Sequence, residues 1–291
     1  MSFHGIAREF TEKQPPDNLV GDESAAASCY SEAMIGRLLV LFMLLLPAAA
    51  PAAVLEGLTP GGDGMVENVV DGDTLVLESG LEVRLVGIQA PKLPLGRPHV
   101  RLQPLAAEAK ARLEKLTLGR PVALAYGGQR RDRYGRALAH LEADGKWVQG
   151  ELLRAGLARV YSFRDNRARV AEMLALEQQA RRARLGIWGH RFYRLLQADD
   201  TRGALDEFQI VEGRVLTVAV VRGRAYLNFG QDWRRDFTVT IAPKDRRGFV
   251  KAGFDPKSYA QRRIRVRGWL YWRNGPMIEA THPEQIEVIE E

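Results

Sequence analysis

The chain has almost no cysteine: Cys29 is the single one in 291 residues, and it stands in an N-terminal leader. The remainder has no disulfide and no thiolate chemistry, so a fold built here depends on its own hydrophobic core. Histidine is scarce too, with five copies, and His282-Pro283 has no second histidine nearby to suggest a metal site. What is there, 46% hydrophobic and 27% charged residues, excludes disorder as the dominant state and suits one or two domains.

Nor does the chain hold a strongly apolar run of the usual membrane-spanning length. Its strongly apolar stretch, Leu38 to Leu46, follows the basic segment Met34-Ile35-Gly36-Arg37 and precedes small residues containing Ala50-Pro51-Ala52. That order is expected of a signal peptide at 34–53, cleaved near Ala52 or Ala53, and of an exported protein, periplasmic or secreted. A membrane anchor over residues 38–55 is the alternative, because no charge interrupts that interval. A signal peptide is read from the start of a chain. Residues 1–33, polar and aperiodic, are therefore expected to be an over-long start with Met34 as initiator, or a disordered leader. Acid is in deficit as well: residues 1–53 hold three of the 42 Lys and Arg and six of the 36 Asp and Glu, leaving 39 basic and 30 acidic side chains, a net of +9. A basic exported protein suits a polyanionic partner, although the same charge also serves solubility.

Beyond the leader, apolar alternation predicts strands at residues 64–70, 74–77 and 82–88, with Glu78-Ser79-Gly80 as a hairpin turn. A proline-rich loop follows, then Leu105, Ala109, Leu113 and Leu116 recur at helical spacing until Gly119. Strands resume at 121–126 and 137–142, joined by the basic loop Gln129 to Arg136. Two helices come next: residues 147–155, ended by Gly156, and about 166–185, with Asn166 as cap and Gly186 as terminator. Strands, helix, strands and then helices is the order of a five-stranded OB-type barrel with a C-terminal helical layer.

Five ordered segments make this specific: Val69 to Thr74 (Val-Val-Asp-Gly-Asp-Thr), Val83 to Ile88 (Val-Arg-Leu-Val-Gly-Ile), Arg131 to Ala139, Leu152 to Ala158, and Leu185 to Gly189 (Leu-Gly-Ile-Trp-Gly). Over about residues 62–190 the chain resembles the staphylococcal nuclease (thermonuclease) family. The resemblance implies hydrolysis of nucleic-acid phosphodiesters, which needs a cation near the phosphate, donors for the developing charge and a base to orient water. It further implies that Asp73 matches the first calcium carboxylate and that Arg84 and Arg136 match the arginines that bind the scissile phosphate. Bidentate guanidinium suits that role. Asp132 and Tyr134 fall where the family keeps polar residues beside the site.

One half of the pattern departs. Where the family has Asp-Thr-Pro-Glu, this chain has Gln89-Ala90-Pro91-Lys92. The second calcium carboxylate becomes an amide, the threonine loses its oxygen, and the base becomes a cation. Loss of a base is worth about 10²- to 10⁴-fold in rate. Gln89 retains one carbonyl oxygen as a weak metal candidate. The expectation is that Arg84, Arg136 and Lys92 form a phosphate-binding pocket with weak or absent calcium binding. A carboxylate from elsewhere beside the arginines, such as Glu108, would favour catalysis.

Residues 191–207 read as a polar linker, and 208–291 repeat the order strands, helix, strands: 208–220, 224–229, 236–241, a helical region at 247–260, then 262–271 and 276–288. This is expected to be a second OB-like barrel. Tyr226, Phe229, Trp233, Trp269, Tyr271 and Trp272 stand among Arg224, Arg234, Arg235, Arg265, Arg267 and Arg273. Alternation assigns half of these aromatics to the core, and interleaved aromatic and basic side chains otherwise suit single strands. Two readings follow. One is an exported nuclease of altered and weak activity. The other is a non-catalytic module binding nucleic acid, DNA or RNA, or another polyanion.

Overall fold

The structure, a computed structural model, describes residues 54–98 and 100–289. Cys29, the leader and the signal segment expected at 34–53 lie outside the described residues.

Strand β1 (Thr59–Asp71) turns through Gly72 into β2 (Thr74–Leu77), and the hairpin at 78–80 returns the chain as β3 (Glu82–Leu85). After β4 (Ile88–Gln89) and helix α1 (Ala106–Thr117) come β5 (Pro121–Tyr126) and β6 (Ala137–Ala143). The order β3-β2-β1-β5-β6 is closed by a parallel pairing of β6 with β3, with Arg84 opposite Leu138. This is the five-stranded OB-type barrel expected from the element order. Val69, Leu75, Val83, Leu85 and Leu141 fill it, and Leu113 of α1, Leu152 of α2 (Val148–Arg154) and Met173 of α3 (Val170–Arg182) pack on it. Each fully buried aliphatic chain contributes roughly 1.5–3 kcal/mol.

Three boundaries differ from expectation, each for a tertiary reason. β1 begins five residues earlier than its alternation suggests, because its first half, from Thr59, pairs with β5. Gly61 is needed there, since a Cβ would lie 2.5 Å from the Tyr126 ring. The third strand breaks at Gly87, whose φ of +82° takes the chain out of the barrel; Ile88–Gln89 then pairs with β8 (Arg159–Val160). Asn166 caps no helix: it bridges Phe163, its amide donates to the Gln129 carbonyl, and α3 starts at Val170.

Residues 191–207, expected as a linker, are structured. They contain β9 (Leu196–Gln197), which follows the two-residue β7 (Lys146–Trp147) and β8 in chain order. β9 pairs in parallel with β10 (Glu207–Arg214), and Tyr193 and Leu196 are buried. β10 and β11 (Thr217–Val221) flank the bend at Val215-Leu216; β12 (Arg224–Asn228) and β13 (Thr238–Ile241) follow, then α4 (Pro243–Lys251), β14 (Arg263–Trp272) and β15 (Pro276–Glu279). The hydrogen-bonded order β11-β12-β13-β15-β14-β10 includes a parallel β13–β15 pair, so the second sheet repeats the topology of the first. The last expected strand is two: after a turn at Pro283–Gln285, β16 (Ile286–Val288) pairs with Ile264–Val266 of β14, on the edge that β15 also uses and opposite β10. The helical region starts at Pro243, earlier than its apolar pattern indicates, with proline in the first turn.

A buried ion network joins the barrels. Arg267 of β14, 1% exposed, donates to both oxygens of Glu177 on α3 at 3.0 and 2.9 Å, and also contacts Glu287. Glu177 in turn accepts from the Val160 N–H at 2.6 Å. Burial opposes the charge on Arg267, but Glu177 and Glu287 more than offset it and hold the guanidinium above its ordinary range. Further links are Arg167 with Glu284, Arg164 with Asp245 at 2.9 Å, and Ser162 with His282 at 2.7 Å.

Candidate active site

The site grows from the turn between β1 and β2. A Cβ at Gly72 would lie 2.7 Å from both Ala109 and Ala90, so only glycine lets this turn pack against α1. That packing drives the next residue inward: Asp73 is fully buried. Its Oδ2 accepts from the Ala90 N–H at 2.7 Å, from Lys92 Nζ at 2.9 Å, and faces Arg84 at 3.2 Å. Its Oδ1 accepts from Lys92 at 3.2 Å and from the Thr74 hydroxyl at 3.3 Å. Burial alone would raise the Asp73 carboxyl, but Arg84, Lys92 and the Ala90 amide hold it well below the usual carboxylate range. Asp71, 3.9 Å from Lys92, is pushed up by burial and by the Asp73 charge.

Arg84 is fixed rather than free. It donates to the carbonyls of Leu85 and Ile88 at 2.8 Å each, and to that of Asp73 at 3.2 Å. The break at Gly87 supplies two of these acceptors, because it turns the backbone of 85–88 back over the guanidinium. Arg136 leaves the basic loop held by Asp132, whose Oδ2 accepts from its Nε at 2.8 Å and its terminal nitrogen at 2.7 Å. Asp132 Oδ1 caps the turn by accepting from the Tyr134 and Arg136 amides. Burial works against its charge, but these bonds together keep Asp132 below the ordinary carboxylate range. Tyr134 is exposed, with the Arg136 guanidinium 5.5 Å from its ring centre.

Arg84, Arg136, Tyr134 and Tyr161 line one cleft of about 530 Å³, together with Asp132 and Asp165. Lys92 does not line it. The ammonium meets Arg84 only through Asp73, and its side chain lines a separate cleft of about 150 Å³ with Gln89, Gln103, Arg159 and Trp269. The three cations expected in one pocket are thus two in the cleft and one behind the carboxylate. Glu108 is exposed on α1 and does not line the arginine cleft.

The calcium that the family resemblance implies fits this donor set poorly. A cation already sits on Asp73, since Lys92 places its ammonium on both carboxylate oxygens and near Asp71. The Gln89 carbonyl oxygen accepts from Arg159 at 3.2 Å instead of adding a ligand. Among the described residues no group of three or more acidic, imidazole or thiol side chains is placed to hold a metal. Gln103 and Arg159 were not found by sequence reasoning. Gln103 accepts from the Lys92 N–H at 2.9 Å, and its own N–H donates to the Lys92 carbonyl, which seats Lys92. No local signal marks either residue, because their partners lie far off in the chain.

Comparisons with known proteins bear on the first barrel. A profile described as "Staphylococcal nuclease homologue" matches residues 82–190. "Endonuclease YncB" of Bacillus subtilis (strain 168) is 35% identical over 133 residues, 44% of this chain and 62% of that protein. "SPbeta prophage-derived endonuclease YokF" of the same organism is 36% identical over 136 residues, 45% of each chain. "Thermonuclease" of Staphylococcus hyicus is 28% identical over 128 residues, 43% of this chain and 75% of that protein. The chain thus spans less than two thirds of the length of the two Bacillus relatives. Together with the closed OB-type barrel, these matches show that residues 82–190 carry a staphylococcal nuclease-like domain.

Proposed function

We propose that the protein hydrolyses phosphodiesters of nucleic acid at the Arg84–Arg136 cleft, slowly and through an altered centre that does not depend on calcium. The observation that carries this reading is the pair of guanidiniums on one cleft with carboxylates beside them. Arg84 is held rigid by backbone carbonyls, and Arg136 is aimed by Asp132, so both are preorganised for charge developing on a phosphate. Asp132 and Asp165 are the acids that line the cleft, and either can orient water once substrate displaces solvent. Lys92 takes no part in the base's role. It neutralises Asp73 from behind, where a divalent ion would otherwise be required to offset the buried charge.

The test is digestion of single-stranded DNA and RNA with calcium, with other divalent ions and with chelator. The expected result is slow cleavage that chelator leaves unchanged and that Arg84→Ala and Arg136→Ala each reduce about 10²- to 10³-fold. Activity surviving both substitutions would remove the assigned site. A micromolar calcium site found by calorimetry would remove the altered-centre reading.

A second reading, binding of nucleic acid or another polyanion without cleavage, is favoured by one observation: a lysine stands where the family keeps its base. It predicts retained binding and no product under any metal condition. The proposal also includes export through a leader at 34–53, and sequencing of the exported protein's N-terminus near Ala53 or Val54 tests it.

A further inference from the structure

The second barrel carries a groove that the phosphodiester cleft does not use. Along β12, Ala225 and Leu227 are fully buried in the core, so Tyr226 and Asn228 face outward. Register places Asn228 opposite Thr217 on β11 and Thr238 on β13, and Thr238 opposite Met277 on β15, one continuous outward row. A cavity of about 390 Å³ lies over this row, lined by Tyr226, Asn228, Trp233, Thr238, Asn274 and Met277. That volume lies in the range of small-molecule pockets.

Three features mark it as a built site. The Thr238 hydroxyl is buried, with the residue 2% exposed, and has no hydrogen-bond partner among the described residues. An unpaired buried hydroxyl costs stability unless a ligand satisfies it. Trp233 is half exposed but not loosely held: the Asp232 N–H donates to Asp236 at 2.9 Å, and the Arg234 N–H donates to Asp232 at 3.1 Å. Gly230 allows this loop to close, since a Cβ there would lie 1.9 Å from the Asp236 carboxylate. The rim is cationic. The Arg234 guanidinium lies 4.4 Å from the Trp233 ring centre, and Arg222 and Arg273 occupy the turns beside the groove.

We propose that this groove takes an unpaired base of a single-stranded nucleic acid. The base lies against Trp233, its polar edge meets Thr238 and Asn228, and the adjoining phosphates meet Arg222, Arg234 and Arg273. A flat apolar wall, a few polar groups and a basic rim are what sequence-tolerant stacking requires. The inference rests on reading the protein as one that acts on nucleic acid, but not on whether it cleaves.

The experiment measures fluorescence anisotropy of labelled oligo(dT) and oligo(dA), a matched duplex and a labelled heparin fragment. It uses the full chain carrying Arg84→Ala and Arg136→Ala, so that cleavage does not interfere. Single-stranded binding is expected to persist in that protein and to weaken about five- to hundredfold on adding Trp233→Ala. Thr238→Val is expected to weaken binding while leaving the thermal midpoint unchanged or higher, because it removes an unpaired hydroxyl. Equal affinity with and without Trp233→Ala, loss of all binding from the arginine substitutions alone, or Trp233-dependent preference for duplex or heparin would each overturn the proposal. Absence of cleavage by the parent protein would count only against the phosphodiester reading.

Discussion

Lys92 is the side chain on which the proposed altered centre turns. Its ammonium lies on both oxygens of a fully buried carboxylate, so it is part of the fold as well as of the site. Lys92→Ala leaves Asp73 to Arg84, the Ala90 amide and the Thr74 hydroxyl, and urea unfolding is expected to show a loss of about 1.5–3 kcal/mol, the worth of a charged hydrogen bond. Lys92→Glu replaces the ammonium with a third carboxylate beside Asp71 and Asp73. Calorimetry is expected to find divalent-ion binding in that variant, with calcium raising its thermal midpoint but not the parent's. Gly72 is equally specific. Gly72→Ala forces a Cβ to within 2.7 Å of Ala90 and Ala109, and overpacking of that kind costs about 1–3 kcal/mol. A thermal melt of Gly72→Ala with and without Ala109→Gly checks it, since the second change relieves one of the two contacts.

Among the elements, the loop between β8 and α3 links the cleft to the second barrel. Tyr161 and Phe163 line the cleft, while Ser162, between them, bonds to His282. Burial pushes the His282 imidazole down to about 4, Glu284 and Asp245 pulling up and Arg167 down. A histidine lowered in the folded state stabilises fully above its unfolded pKa near 6.5, and that contribution is lost as pH falls toward 4, because the unfolded chain binds the proton more readily. Urea midpoints are therefore expected to fall between pH 7 and pH 4.5, and His282→Asn is expected to flatten that slope. The neutral His140, pushed down to about 3 by burial and by Arg169, adds to the slope in both proteins. The same loop shows what alternation could not reveal. Residues 161–169 contain no periodic pattern, and their geometry comes from partners distant in the chain, such as Gln129, Asp245 and His282.

At the scale of the molecule, two barrels of one topology are joined through an ion network with almost no exposure. Arg267→Ala leaves Glu177 buried with Arg181 alone, and loss of about 3–5 kcal/mol is expected by urea unfolding. Because Glu177 also holds the Val160 amide, and β8 pairs with β4 beside Arg84, the same change is expected to lower activity or phosphate affinity as well as stability. A loss of stability with an unaltered cleft would show that the second barrel does not position the first.

Local pattern marked most of the first barrel: alternation outlined its strands, Gly119 ended α1, and the family resemblance carried by five ordered motifs made Asp73, Arg84 and Arg136 the candidate site residues. These signals are legible because strand and helix periods and short turns depend on neighbours within a few residues. Other features required tertiary structure. The extra half of β1 exists because β5 offers partners to Thr59 and Pro60, and Leu196–Gln197 is a strand because β10 lies beside it. Lys92 behind Asp73, Arg159 on Gln89 and Arg267 on Glu177 are pairings across 19, 70 and 90 residues. Sequence states which charges are present, but only the folded chain decides which of them share a dry site, and there the partner of a charge determines its chemistry.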